Sequence, residues 1–182
     1  MLKSIAKASA LLTALGLLMV ATTTTHAQSD LGQIGTRALT PQEIKDYGLP
    51  SDIQTSGGLS TVGLGQPAYL EAQLLKTFPS ADIVGISWTL VSQPMGSTVT
   101  LEATPIPPEV PLYNPADADY YQLVERVMLR PDVVGPYEIT AEITTTTDPI
   151  TLTKTVVGAT YLGINNSCLF CHSGGYLPDK IT

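Results

Sequence analysis

The chain reads as a mainly β protein, an antiparallel sandwich, on three observations. Runs of apolar and β-branched residues recur between about residues 57 and 163, each too short for a helix. Turn-forming pairs and quartets separate them: Pro79-Ser80, Pro94-Met95-Gly96-Ser97, Pro131-Asp132 and Asp148-Pro149. The intervening threonines are β-branched and favour extended backbone, with a solvated strand face as their ordinary role. Short strands punctuated in this way suggest a sandwich rather than a parallel α/β sheet.

In chain order, Lys3 and Lys7 precede an almost unbroken apolar run from Ala8 to Val20, and Thr25-His26-Ala27 offers a small-x-small cleavage site. Residues 1–27 therefore read as a secretory signal, the apolar run being short for a bilayer, with Gln28 first in the mature chain; an uncleaved membrane anchor is the rival reading, disfavoured because the flanks match a cleavable signal. Cleavage takes away two lysines and no acid, leaving seven basic and sixteen acidic residues, a formal charge of −9. That balance argues against nucleic acid and against anionic membrane surfaces, and contact with a membrane is expected only through the signal before cleavage. The roughly 155 mature residues suffice for one good core plus tails.

Residues 28–56 read as a linker with one short helix near 41–47. Thr40-Pro41-Gln42-Glu43 is a capping box with proline at the first helical position. Gly48 stands where a C-terminal cap belongs, and Pro50 forbids continuation. Ile44 and Tyr47 would share one face and dock on a neighbour.

Strands are expected at 68–75, 83–91, 98–102, 121–130, 136–144 and 150–157. Trp88, the single tryptophan, is flanked at period two by Ile86 and Leu90, which predicts a core centre. Pro131-Asp132-Val133-Val134-Gly135-Pro136-Tyr137 reads as a turn into a strand, placing Tyr137 to bury its ring and return its hydroxyl to the backbone. Residues 103–119 read as a long Pro- and Asp-rich insertion, solvated by default and otherwise a docking or covering element. Asp117 and Asp119 there are a weak calcium signal.

Three of these segments carry a resemblance. Ser87-Trp88-Thr89-Leu90-Val91-Ser92-Gln93-Pro94-Met95-Gly96-Ser97 resembles the W-x-L-x-S-x-P-x-G-S segment of bacterial PKD and related Ig-like domains. Leu129-Arg130-Pro131-Asp132-Val133-Val134-Gly135-Pro136-Tyr137 resembles their F-x-P-D-x-x-G-x-Y segment, with leucine for phenylalanine. Gly65-Gln66 ahead of 68–75 matches their usual lead into the second strand. The resemblance covers roughly 57–160 and implies an Ig-like sandwich acting as a binding or spacer module; such folds carry no chemistry by themselves.

The C-terminal residues 164–182 read as an irregular tail with a chemistry of their own. Cys168-Leu169-Phe170-Cys171-His172 is C-x-x-C-H, the attachment signature of c-type haem. Each thiol forms a thioether to the porphyrin, and His172 reaches the iron from the proximal side. These are the only two cysteines in the chain. The cofactor expected is one covalent haem c, held by Cys168, Cys171 and His172. A small disulfide is the alternative, and zinc would lack a fourth soft or imidazole ligand. The surrounding Asn166-Ser167-Cys168-Leu169-Phe170-Cys171-His172-Ser173-Gly174-Gly175 resembles the first haem site of multihaem cytochromes. Bacterial c-type haem is attached outside the cytoplasmic membrane, so the resemblance agrees with export to the periplasm or cell surface.

For the distal position the mature chain offers Met128 or Met95, or else a ligand from a partner. A redox partner protein or multihaem cytochrome is the partner this implies. The chain shows no serine–histidine–acid set and no phosphate loop, so it reads as an electron carrier and not an enzyme. A non-catalytic Ig-like surface or assembly module with a C-terminal disulfide is the alternative function, and a haem-based sensor a third.

Overall fold

Two sheets face each other across one apolar layer. The computed structural model describes residues 30–113 and 115–160, with backbone alone at 115–117. The first sheet has five strands in the order β2-β1-β4-β7-β6, and the second has four in the order β3-β9-β8-β5. In chain order the elements are β1 (Gly32–Leu39), α1 (Pro41–Asp46), β2 (Ser56–Gly57), β3 (Thr61–Gly63), β4 (Ala68–Leu75), β5 (Ile83–Ser92), β6 (Glu102–Ala103), α2 (Pro115–Tyr120), β7 (Tyr121–Leu129), β8 (Gly135–Thr145) and β9 (Ile150–Ala159). All pairings are antiparallel except β3 with β9, which is parallel. The protein is mainly β, a two-sheet sandwich with a short N-terminal helix.

The inner layer follows from period-two side-chain alternation. Ile34, Leu70, Ala72, Leu74 and Leu129 from the first sheet meet Tyr137, Ile139, Ala141, Ile143, Leu152 and Val156 from the second. Trp88 is not the centre of this layer. It shares a face with Ile86 and Leu90 as its spacing requires, but β5 is an edge strand, so all three are only half-buried at the margin. Its indole Nε1 donates to Glu125 Oε2 at 3.2 Å. Two register shifts interrupt β5, at Val84 and Val91, and both side chains are exposed. Bulges of this kind turn an uncharged edge away from unwanted pairing.

The segment read as a linker contains β1, which pairs with β4 from Gly32↔Leu74 to Arg37↔Tyr69. Its glycines and single arginine hid the strand, because the residues that pack inward are few. The strand expected at 98–102 is reduced to the two residues of β6. The insertion at 103–119 is not a solvated loop: Ile106, Val110 and Leu112 are buried.

Helix α1 forms as its caps dictate. Thr40 Oγ1 accepts from Glu43 N at 3.2 Å, and Glu43 Oε2 accepts from Thr40 N at 3.0 Å. At the other end Leu49 N donates to Ile44 O and Gly48 N to Lys45 O, with Gly48 at φ 60°. This is the paired-bond C-cap that glycine permits. Ile44 packs with buried Leu49 in a second apolar cluster, whereas Tyr47 stays largely exposed.

That second cluster makes the first sheet unusual. Leu39, Leu49, Tyr69, Ile106, Val110 and Met128 pack on its outer face, beneath α1 and the 104–112 segment. β4 is therefore buried on both faces from Ala68 to Leu74.

Candidate functional site

Cys168, Cys171 and His172 lie outside the described residues, and so does the rest of the tail from residue 161. Two thiols three positions apart and an adjacent imidazole form a donor set that fits a covalently held haem. Among the described residues no group of three or more His, Cys, Asp or Glu side chains is placed to hold a metal ion. The described chain stops at Thr160, at one end of the sandwich.

That end is built by turns locked to one another. Ala159 O accepts from Leu64 N at 3.2 Å, and Pro131 O accepts from Gly65 N at 2.8 Å. The ring of Tyr137 is fully buried, and its hydroxyl accepts from Val133 N at 2.9 Å and donates to Val133 O at 2.8 Å. This is the tyrosine-corner geometry the sequence led us to expect. Asp132 then ties the neighbouring turn in place: its carboxylate accepts from Ser97 Oγ at 2.5 Å and from Thr98 N at 3.0 Å. Those bonds, the Ser97 hydroxyl foremost, hold the Asp132 carboxyl down at about 2.

The two methionines fall in different surroundings. Met95 stands in the Pro94–Ser97 turn, closed by Ser97 N donating to Pro94 O at 3.0 Å with Gly96 at φ 90°. Its side chain is 98% exposed. Met128 is 5% exposed within the outer cluster. Sequence spacing puts Met128 on one strand face with Val124, but the register shifts opposite Ala72/Gln73, leaving Val124 unmatched, and Val124 packs against the inner core instead. The structure does not bring Met95 and Met128 into one pocket. Met128 forms part of a groove of about 490 Å³ with Ile53, Tyr69, Pro105 and Arg130, whereas Met95 lines none of the described hollows. Burial pushes the Tyr69 phenol up, against the opposing charge of Arg130.

Beside the groove lies a buried charged network that the sequence reading did not anticipate. Arg126 donates from Nε to Glu71 Oε1 at 2.8 Å, from Nη1 to Pro107 O at 2.7 Å and from Nη2 to Val110 O at 2.6 Å. Arg37 Nε lies 3.5 Å from the same Glu71 oxygen without a hydrogen bond, and Arg37 Nη2 donates to Glu43 Oε1 at 2.7 Å. The Arg37 guanidinium also sits 5.5 Å from the Tyr113 ring centroid. Desolvation pushes the Glu43 carboxyl up, but the bonds from Arg37 and Thr40 outweigh it and leave its pKa lowered. Two arginines and two glutamates balance in charge, with Arg37, Glu71 and Arg126 buried and Glu43 at the network's partly exposed margin. Glu71 interrupting the apolar run Ala68–Leu75 was the one available sequence signal; its burial depends on a cover that lies elsewhere in the chain.

Comparison with models of known protein families, with curated proteins and with solved structures found no match. Fold and network together define a two-sheet β-sandwich with a second, ion-containing layer on one face. Among the described residues no helix is long and apolar enough to cross a membrane.

Proposed function

We propose that this protein is an exported carrier of one covalently attached haem, passing electrons through that haem while the sandwich docks or places it. The observation that carries the reading is Cys168-Leu169-Phe170-Cys171-His172, with the only two cysteines of the chain at attachment spacing. When bound, the haem supplies one-electron redox chemistry at its iron. Cys168 and Cys171 would hold the group by thioether bonds, and His172 would supply an imidazole ligand to its iron. The secretory signal at 1–27 supports the same reading, since it directs the chain to the compartment where bacterial c-type haem is attached. The resemblance of 57–160 to PKD and Ig-like domains supports a docking role for the sandwich. The partner is a redox protein or a multihaem cytochrome, and the high acidic content suits one with a basic face.

The experiment is a pyridine haemochrome spectrum on protein produced with the c-type maturation machinery and extracted with acidified acetone. A c-type spectrum with haem retained by the protein is the expected result. Extraction of all haem, or none incorporated, would leave an exported interaction module with a C-terminal disulfide.

A further inference from the structure

We propose that the cleft between β7 and the 101–108 segment takes an extended segment of another protein, added as a strand on the β7 edge. That segment is apolar and β-branched and carries two basic side chains. The proposal does not depend on the haem reading.

The fold leaves this edge open. β6 is the last strand of the first sheet, and it pairs with β7 only at Met128 and Val127. Past Ala103 the chain crosses to the outer face as the 104–112 cover, where Arg126 holds it through the Pro107 and Val110 carbonyls. The bonds that build the buried network thus end β6 early. From Tyr121 to Arg126, β7 pairs with β4 on one side and, among the described residues, with no strand on the other. An unpaired row of backbone N–H and C=O groups is a template for a further strand. The other edges are less available. β5 is interrupted by its two bulges, and β1 lies against β9. The β7 edge opens instead on a hollow of about 670 Å³.

The walls of the hollow select the occupant. Leu123, Val124 and Val127 line it from β7, and Leu101, Pro105 and Pro107 from the facing segment; none of the six is fully buried. Covering them removes apolar surface from water. The prolines have no N–H, so an entering strand pairs with β7 alone. The cation lining the hollow, Arg126, is committed to Glu71 and two carbonyls. Its acids are Glu102 and Glu125. Glu125 accepts from the Trp88 indole but meets no cation among the described residues, and Glu102 has only Arg130 at 3.9 Å. The two acids belong to opposite faces. Glu102 stands across from Met128 of the outer cluster, whereas Glu125 reaches Trp88 of the second sheet. In an extended partner, residues an odd number of positions apart project to opposite faces. Two basic residues at such a spacing answer both acids. A second copy of this chain is the poorer occupant: it would set its own acids against these, and the chain carries a formal charge of −7.

The test uses the full mature chain and a capped hexapeptide of β-branched residues with lysine at its second and fifth positions. Calorimetry measures its Kd, and amide hydrogen exchange reports on β7. Saturable binding below about 1 mM is expected, with protection gained at those amides of 121–126 that face away from β4. Of two further peptides, N-methylated at the odd or at the even positions, one blocks the pairing edge and should bind at least about tenfold more weakly. Glu102→Gln and Glu125→Gln should each raise Kd about two- to fivefold, as for exposed ion pairs. Glu142→Gln, exposed on the outer face of the second sheet, should leave it unchanged. No binding up to about 1 mM, equal binding by both methylated peptides and the parent peptide, or an equal loss in Glu142→Gln would overturn the proposal. So would slow exchange along the whole 121–126 edge before peptide is added, since the edge would then be covered already.

Discussion

Replacing Arg126 by methionine tests the buried network and, through it, the second layer of the sandwich. The guanidinium is 2% exposed and makes three bonds of 2.6–2.8 Å, to Glu71 and to the Pro107 and Val110 carbonyls. Methionine retains much of the stem's packing but none of those bonds. Glu71, 3% exposed, is left with Gln73 Nε2 at 3.0 Å and with Arg37 Nε at an ion-pair distance of 3.5 Å. Removing one partner of a buried pair costs about 3–5 kcal/mol, because the remaining charge is stranded. Summing three charge-assisted bonds would give more, but the arginine's own desolvation penalty is recovered, so the lower range applies. For a sandwich of this size that corresponds to a Tm loss of roughly 10–20 °C. The assay is thermal unfolding by circular dichroism, with urea unfolding to confirm an unchanged m-value. Amides of 106–112 should exchange faster, since Arg126 holds that segment by two carbonyls. The double variant Glu71→Met with Arg126→Met should lose less than the two single variants together. A Tm for Arg126→Met within about 2 °C of the parent would refute the claim that this pair holds the cover down.

The remaining predictions concern the tail's end of the sandwich and the tail itself. Asp132 should titrate near 2 by NMR; its folded pKa lies below the ordinary 3.8, so its contribution is present above about pH 4 and is lost as pH falls toward 2. A midpoint near 4 would show that the Ser97 and Thr98 bonds do not form in solution. Tyr137→Phe should cost about 1–2 kcal/mol in urea unfolding, because the Val133 N–H and carbonyl both lose their hydroxyl partner; an unchanged midpoint counts against the corner as a stabilising element. Cys171→Ser should sharply reduce haem retained through acid–acetone extraction, since one thioether is lost; a full haem complement would show that the thioether assignment is wrong.

Much of the fold was legible locally. The strands at 68–75, 83–91, 121–130, 136–144 and 150–157 fall within two residues of β4, β5, β7, β8 and β9. Each is bounded by a proline or glycine turn, which acts on neighbouring residues alone. The helix at 41–46 and its glycine cap were legible for the same reason. β1 was not, because Gly32, Gly35 and Arg37 obscure its alternation, and neither were the very short β2 and β3. Of the site residues, Met128 reads correctly as near-core and Met95 as a turn residue. The network of Arg37, Glu43, Glu71 and Arg126 joins residues far apart in sequence, and no spacing rule links them.

By itself the amino-acid sequence determined what depends on neighbours: strand and turn positions, helix caps, the Tyr137 corner and the Cys168–His172 motif. Only the tertiary structure decided depth and partnership. Trp88 and Tyr69 both sit in strands, yet the first lies at a sheet margin and the second is fully buried. Period two says which residues share a face; it does not say what covers that face. In this protein α1 and the 104–112 segment cover the outer face of the first sheet, and that cover turns Glu71 from a surface acid into a buried ion between two arginines.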